Sequence, residues 1–204
     1  MKVLLLNGSP DAKGCINEGL KVMQSIFEAE NIDTEIIQLG NKPIAGCIGC
    51  RSCKKTGECF QKDIANDVAK KLMEADGIVI GSPVYYSSPN GSLLALLDRV
   101  FYQASNLSMK VGASIVSCRR GGASSTFDML NKYFTISNMP IASSTYWNMI
   151  HGSKAEDIYK DEEGIQTLKQ LAYNMCFLIK AIKLAKDNGM EPKSEPKIFT
   201  NYIR

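Results

Sequence analysis

The chain has 204 residues, 45% of them hydrophobic and 22% charged, with a formal net charge of +3. These values fit one globular domain long enough to bury a core, and they exclude a disordered chain. The cations are scattered singly and in pairs, without a basic stripe or interleaved aromatics, so nucleic acid is not an expected partner. No apolar stretch approaches the roughly 20 residues that span a bilayer, so a membrane is not expected either.

The opening run Met1 to Leu6 breaks at Asn7-Gly8-Ser9-Pro10, at strand length, unlike an export signal. Seven cysteines in such a chain point to metal, cluster or redox chemistry rather than disulfides, and to the cytoplasm. In chain order, Lys2 to Leu6 reads as a strand buried on both faces, followed by a helix over Cys15 to Glu30 whose apolar residues recur at helical spacing. Asp33 to Leu39 is a second strand. Gly40 to Gln61 is an unusually long connection and therefore a functional candidate. Asp63 to Glu74 is helical with Asp63 at its start, and Gly77 to Ile80 is the next buried strand. Helices follow over Asn90 to Phe101, Ser124 to Phe134 and Glu162 to Asn188, with strands at Val111 to Ser117 and, more weakly, Ile141 to Trp147. The expected organisation is one α/β domain over residues 1–190, with a cysteine-rich loop at 40–61 and an extended tail at 191–204.

Alternating buried strands and helices predict an open five-stranded parallel sheet with helices on both faces. Ligands of such sheets bind beyond the carboxyl ends of the strands, at the switch point of strand order. That rule selects three loops, Asn7 to Cys15, Ser82 to Asn90 and Ser117 to Ala123, all rich in small and turn-forming residues. In the first, the Ser9 hydroxyl and the backbone near Gly14 to Asn17 could cradle a phosphate at a helix N-terminus. The loop is neither a dinucleotide fingerprint nor a Walker loop. In the second, two prolines stiffen the backbone, and Tyr85 and Tyr86 offer flat apolar surface to an aromatic ring. In the third, Arg119 and Arg120 present guanidinium groups. Each loop also has a bland reading: a tight turn, a tyrosine pair packed on its own domain, two solvated arginines.

Cys47-x2-Cys50-x2-Cys53, with Cys59 six residues on, is the densest chemical signal. Thiolates at this spacing can be offered to one cubane iron–sulfur cluster. A structural zinc site is the rival metal reading, although zinc arrays more often pair two separated knuckles. A metal-free loop is the third. Cys176, among Met175, Phe177 and Leu178, reads as a core thiol. Cys15 and Cys118 read as packing residues, because no histidine partner is in view, and His151 as a surface residue. No hydrolase triad is present.

Together these motifs resemble the NADPH-dependent FMN reductases of the flavodoxin-like superfamily, most closely the iron–sulfur flavoproteins. The resemblance is carried by Leu4 to Cys15, Cys47 to Cys59, Ala75-Asp76-Gly77 through Asp98-Arg99, and Asp161-Glu162-Glu163-Gly164. It implies a flavodoxin-like fold and non-covalent FMN. Ser9, Pro10, Gly14, Cys15 and Asn17 would surround the phosphate, and Pro83, Val84, Tyr85 and Tyr86 would border the isoalloxazine ring. Ser117 to Gly122, with Arg119, Gly121 and Gly122, would face its pyrimidine side. The four cysteines at 47, 50, 53 and 59 would hold a [4Fe–4S] cluster near the sheet's carboxyl edge, although plain flavin reductases keep similar cysteines without metal. The implied activity is an FMN-dependent oxidoreductase served by NAD(P)H or ferredoxin, with a flavin or quinone as small acceptor, assembled as a homodimer or homotetramer. No side chain need be catalytic, since hydride transfer rests on stacking and orientation. The sequence departs from the family at Ile16, where relatives often carry a hydroxyl, and at Cys118-Arg119-Arg120.

Overall fold

The structure, a computed structural model, describes residues 1–200 and Tyr202. Strands β1 (Lys2–Asn7), β2 (Asp33–Gln38), β3 (Gly77–Tyr85), β5 (Val111–Cys118) and β6 (Met149–His151) lie side by side in the order β2-β1-β3-β5-β6. All four pairings along this path are parallel, and the two-residue β4 (Ser88–Pro89) turns back antiparallel on the end of β3. The order is that of flavodoxin-like sheets, so the expected fold class holds, with β4 as a small addition.

The interior strands β1, β3 and β5 are largely apolar and buried because both sheet faces are covered there, whereas the edge strand β2 is mostly polar. In β1, Leu4 and Leu6 join one core cluster with helices α3 (Ile64–Glu74), α4 (Gly91–Gln103) and α5 (Ala123–Ile136). Val3 and Leu5 point the other way, into a second cluster with α1 (Cys15–Ala29) and α6 (Glu162–Asp187). This is the period-two alternation of a strand with a core on each side. Gly81 is fixed by close approach: a Cβ there would lie 2.5 Å from Ile16 Cγ2, so glycine lets α1 seat directly on β3.

Helix starts follow the capping chemistry legible in the sequence. Asp63 accepts from the N–H of Ala65, Asn90 from those of Ser92 and Leu93, and Asp161 from that of Gly164. The helices α1 and α5 differ. Their N-caps are Gly14 and Gly122, and neither has a side-chain cap hydrogen bond.

One expectation is corrected and one element is added. The weak fifth strand lies at Met149–His151, not at Ile141 to Trp147; Ile141 makes only an isolated bridge to Gly112. The cause is the Ser144 hydroxyl, whose Oγ lies 2.6 Å from Tyr146 O and 2.7 Å from Asn148 Oδ1 with one proton to share between these acceptors, closing a turn where a strand was expected. The long loop is not wholly irregular, since Ser52–Thr56 forms a short helix, α2. Beyond Asp187 the described residues of the tail are exposed and carry no regular element; positions 201, 203 and 204 of the expected tail lie outside the described residues.

Asn90 both caps α4 and anchors the β3–α4 connection through its own N–H to Ser82 Oγ at 3.0 Å. Asn90→Ala is expected to lower stability by about 1 kcal/mol, read as a lower urea midpoint at unchanged slope.

Candidate functional site

A cleft of about 210 Å³ opens beyond the carboxyl ends of β1, β3 and β5. Ser9, Asp11, Gly14, Cys15, Ile16, Pro83, Val84, Ser117, Cys118, Arg119, Gly152 and Ser153 line it. It sits where the strand order reverses, between β1 and β3, with crossovers leaving to opposite faces.

The uncapped α1 gives its rim an anion-binding character. First-turn N–H groups at Cys15, Ile16 and Asn17 have no capping side chain from Gly14, and they stand at the positive end of the helix. Ser9 complements them. Its hydroxyl oxygen accepts from the Asp11 N–H at 3.1 Å, leaving the hydroxyl proton to donate. Ile16 contributes only backbone here, since its side chain is buried against Gly81. The absent hydroxyl at that position therefore removes a side-chain contact and leaves the backbone cradle whole.

Of the residues assigned to this site from sequence, the structure gathers Ser9, Gly14, Cys15, Pro83, Val84, Ser117 and Arg119 around the cleft. Six others do not line it. Pro10 and Gly121 are exposed, and Asn17 is buried in the first turn of α1. Gly122 packs on the neighbouring loop, where an added Cβ would meet Ser87 Cα at 2.8 Å. Tyr85 is half-exposed and Tyr86 wholly exposed. Both tyrosines ride on the β3–β4 hairpin, whose tip residues Tyr86 and Ser87 have φ of 50° and 59°. A two-residue turn of this kind needs positive φ at both positions and turns its side chains outward.

Gly152 and Ser153 complete the cleft and were not foreseen. They follow β6, so the misplaced fifth strand hid them. Their loop is tied down by Asp161, which accepts from the His151 N–H (2.8 Å), and by Asp157, which accepts from the Ser153 N–H (3.2 Å). Cys15 fastens the same loop to α1 through Sγ to Lys154 O at 3.2 Å, the packing role expected of it. Cys118 is different. His151 Nδ1 lies 3.6 Å from its sulfur and 3.1 Å from its carbonyl oxygen, so a histidine does stand beside it. The two are 33 residues apart in sequence and meet only because β5 and β6 are neighbours. Burial pushes the Cys118 thiol up, which keeps it protonated rather than nucleophilic. Burial likewise raises Cys176, to about 11, as suits a core thiol.

A second cavity is lined by all four cysteines of the loop, Cys47, Cys50, Cys53 and Cys59, with Arg51, Phe60, Arg99 and Tyr102 among their neighbours. It shares no lining residue with the first cleft. The helix α4 carries both: its N-cap Asn90 adjoins the Pro83–Pro89 connection, and Arg99, Tyr102 and Gln103 hold the cysteine loop. Arg99 lies nine residues beyond Asn90, about 14 Å along the axis. The cysteine cavity thus lies against the lower half of α4 rather than at the cleft itself.

The loop is docked there by specific bonds. The Cys59 N–H donates to Asn66 Oδ1 and Gln103 Oε1, both at 2.9 Å, and its carbonyl accepts from Asn66 Nδ2. The Lys54 ammonium donates to the Tyr102 carbonyl and sits over the Tyr102 ring. Arg99 is buried and binds Asp63 Oδ2 through Nη1 (2.5 Å) and Oδ1 through Nη2 (2.8 Å), while also reaching Ala45 O and Gln61 O. Burial opposes the charge on Asp63, but the Arg99 and Ala65 donors outweigh it and hold the carboxyl below the usual range.

The thiols border a cavity rather than a point: among the described residues, no three His, Cys, Asp or Glu groups converge closely enough for one metal ion. Cys59 is fixed and Cys47 and Cys50 are exposed. At about 20 Å³ the space holds little more than a water, so a four-iron cube needs the exposed Cys47–Cys50 segment to swing outward. The Ser52 N–H beside Cys50 lowers that thiol and favours the thiolate a soft metal requires. A donor set of four thiols fits the cube on these terms.

Residues 1–154 match the NADPH-dependent FMN reductase family. An iron–sulfur flavoprotein of Methanocaldococcus jannaschii is 32% identical over 90% of this chain and all of its own length. One from Archaeoglobus fulgidus is 32% identical over 92% of this chain, again over its full length. Among solved structures, RosB with its bound intermediate 8-demethyl-8-formylriboflavin-5'-phosphate superposes with a TM-score of 0.70 at 15% identity, covering 100% of this chain and 93% of that one. That likeness speaks to the fold. No described helix is long and apolar enough to cross a membrane.

The Asp63–Arg99 pair makes a stability prediction with a definite sign. Because folding depresses the Asp63 pKa, its contribution is present above the ordinary carboxylate range and is lost as pH falls below about 4. Asp63→Ala strands a buried guanidinium and removes a cap, so it is expected to cost about 3 kcal/mol at neutral pH. Urea midpoints from pH 7 to pH 3 should fall less steeply for Asp63→Asn than for the native chain; parallel slopes would refute the pairing.

Proposed function

We propose that this chain, which belongs to the NADPH-dependent FMN reductase family, binds FMN in the cleft at the β1/β3 switch point and transfers electrons from NAD(P)H or ferredoxin. The observation that carries this reading is the junction of an uncapped helix N-terminus, the free Ser9 hydroxyl proton and the Pro83–Val84 and Ser117–Arg119 backbones around one crevice. The phosphate sits at the start of α1, on the N–H groups of Cys15 to Asn17 and the Ser9 hydroxyl. Pro83 and Val84 border the ring and exclude water from one side. The Arg119 guanidinium stands where the electron-rich pyrimidine edge lies. Pro10, Asn17, Gly121 and Gly122 support these loops from behind, and Tyr85 and Tyr86 form an outer rim that can meet nicotinamide or a second subunit.

FMN, when bound, would supply the redox chemistry: its ring takes up one hydride, an electron pair, and can release the two electrons singly. The residues of this chain hold and orient it; none is assigned a proton-transfer role. Cys47, Cys50, Cys53 and Cys59 would hold a [4Fe–4S] cluster, which would supply single-electron exchange with ferredoxin. Four thiols lining one cavity support the cube, and their C-x2-C-x2-C run favours it over zinc, whose sites more often pair two separated knuckles. The narrowness of that cavity favours a second reading, a cluster-free NAD(P)H-dependent reductase of flavins or quinones. A homodimer or homotetramer is part of the proposal, supported by the exposed aromatic side chains of Tyr86, Tyr146 and Trp147.

Two experiments test these assignments. Ser9→Ala is expected to weaken FMN binding about tenfold or more, the cost of one hydrogen bond to a charged group, whereas Tyr86→Ala should change it less than threefold. Fluorescence titration of the flavin-stripped protein reads both, and equal effects would undo the placement. Anaerobically purified protein should contain FMN together with iron and acid-labile sulfide and be yellow-brown. Flavin without iron after anaerobic reconstitution, coupled with rapid NAD(P)H oxidation by quinone, would select the cluster-free reductase.

A further inference from the structure

Arg99 holds the one buried side-chain nitrogen or oxygen among the described residues that lacks a hydrogen-bond partner, its Nε. The residue is 2% exposed, so water cannot satisfy that N–H. Both terminal nitrogens are engaged, Nη1 with Asp63 and Ala45 O, Nη2 with Asp63 and Gln61 O. The same side chain lines the cavity bordered by Cys47, Cys50, Cys53 and Cys59. A guanidinium is rigid and planar, so fixing its outer edge on a carboxylate also fixes where the inner N–H points. A desolvated donor without an acceptor is destabilising, and native structures rarely keep one without a use.

We infer that Arg99 is the potential-setting residue of the cysteine site, donating its Nε–H to a sulfur of the iron–sulfur group held there. The inference rests on the cluster reading given above. A cube ligated by four thiolates is anionic and gains a further negative charge on one-electron reduction. A permanent cation with a directed N–H stabilises the reduced form more than the oxidised one, and so raises the reduction potential. Hydrogen bonds to the sulfurs and nearby charge are among the protein's main controls over such potentials. Arg99 is suited to this and its neighbours are not. Lys54 spends its ammonium on the Tyr102 carbonyl and ring, and Arg51 is solvent-exposed. Asp63 does not use up this donor, because it binds only Nη1 and Nη2 and leaves the Nε–H unpaired in a side chain that lines the cysteine cavity. Lysine would keep the charge but could not hold Asp63 by two bonds and present a third directed donor.

The test uses the full chain, reconstituted anaerobically with ferrous iron and sulfide, with iron, sulfide and FMN assayed in every sample. EPR-monitored redox titration should show the cluster of Arg99→Gln shifted to a more negative potential than the native protein and Arg99→Lys falling between. The FMN potentials should be unmoved. Iron-replete variants with native cluster potentials would overturn the inference while leaving the cluster itself standing. Failure of the native protein to retain iron would instead remove the cluster reading, and this inference with it. Should Arg99→Gln fold poorly, the native arginine can be interrogated directly. Protein carrying Arg51→Asn, which removes the other arginine lining the cavity, is grown on arginine bearing the heavy nitrogen isotope. Pulsed EPR of the reduced cluster should then show coupling to a labelled nitrogen; its absence from a fully loaded sample would overturn the assignment. A residue that merely braces the loop would move neither readout.

Discussion

Five parallel strands in the order β2-β1-β3-β5-β6 cannot be covered evenly by their connecting helices. The crossovers from β1 and from β3 depart to opposite faces, so the space above their carboxyl ends is left open. Everything chemical about the cleft follows from that topological fact. The loop after β1 must descend into α1 at the edge of the opening, and Gly81 lets α1 sit directly on β3, so the first turn of the helix points its N–H groups into the gap. Elsewhere Asp63, Asn90 and Asp161 satisfy the equivalent groups. Leaving α1 and α5 uncapped sacrifices local stability at the edge of the opening, where a bound anion can replace the missing acceptor.

The cysteine loop obeys a different logic. It has little core of its own, and its attachment is polar: Arg99 to Ala45, Gln61 and Asp63, Gln103 and Asn66 to Cys59, Lys54 to Tyr102. A buried ion pair is a poor source of net stability, because desolvation consumes most of its Coulomb energy. Its value here is positional. Asp63 caps α3 with one oxygen while both oxygens clamp Arg99, so the two ends of the loop, the start of α3 and the middle of α4 are registered together. Cys59 is thereby fixed while Cys47 and Cys50 lie exposed at the surface.

Much of this was legible in the residues. Val3 to Leu6 and Ile78 to Ile80 announce doubly covered strands because neither face admits a polar side chain, and they are all fully buried. Asp63 and Asn90 declare helix starts through local chemistry that needs no tertiary context. The short β6 was missed because Ser144 and Asn148 compete for the backbone in a segment whose β-branched and aromatic residues suggest a strand. With it went Gly152 and Ser153, unremarkable residues that matter only for where they fall. The tyrosine pair misled for a conformational reason: at positive φ in a hairpin tip, Tyr86 projects into solvent. The meeting of His151 with Cys118, and the unpaired Nε of Arg99, depend on strand neighbours and helix staggers that no local pattern encodes.

The single rod α4 has an evolutionary corollary. Side chains along it can be exchanged one at a time, but its length cannot drift. One residue inserted between Asn90 and Arg99 would advance the cysteine pocket by about 1.5 Å and swing it about 100° around the helix axis. Asp63 and Gln103 would lose their partners at the same stroke. Divergence in this stretch is therefore confined to replacement, and the relative bearing of the two cavities is locked into the gene as a count of codons.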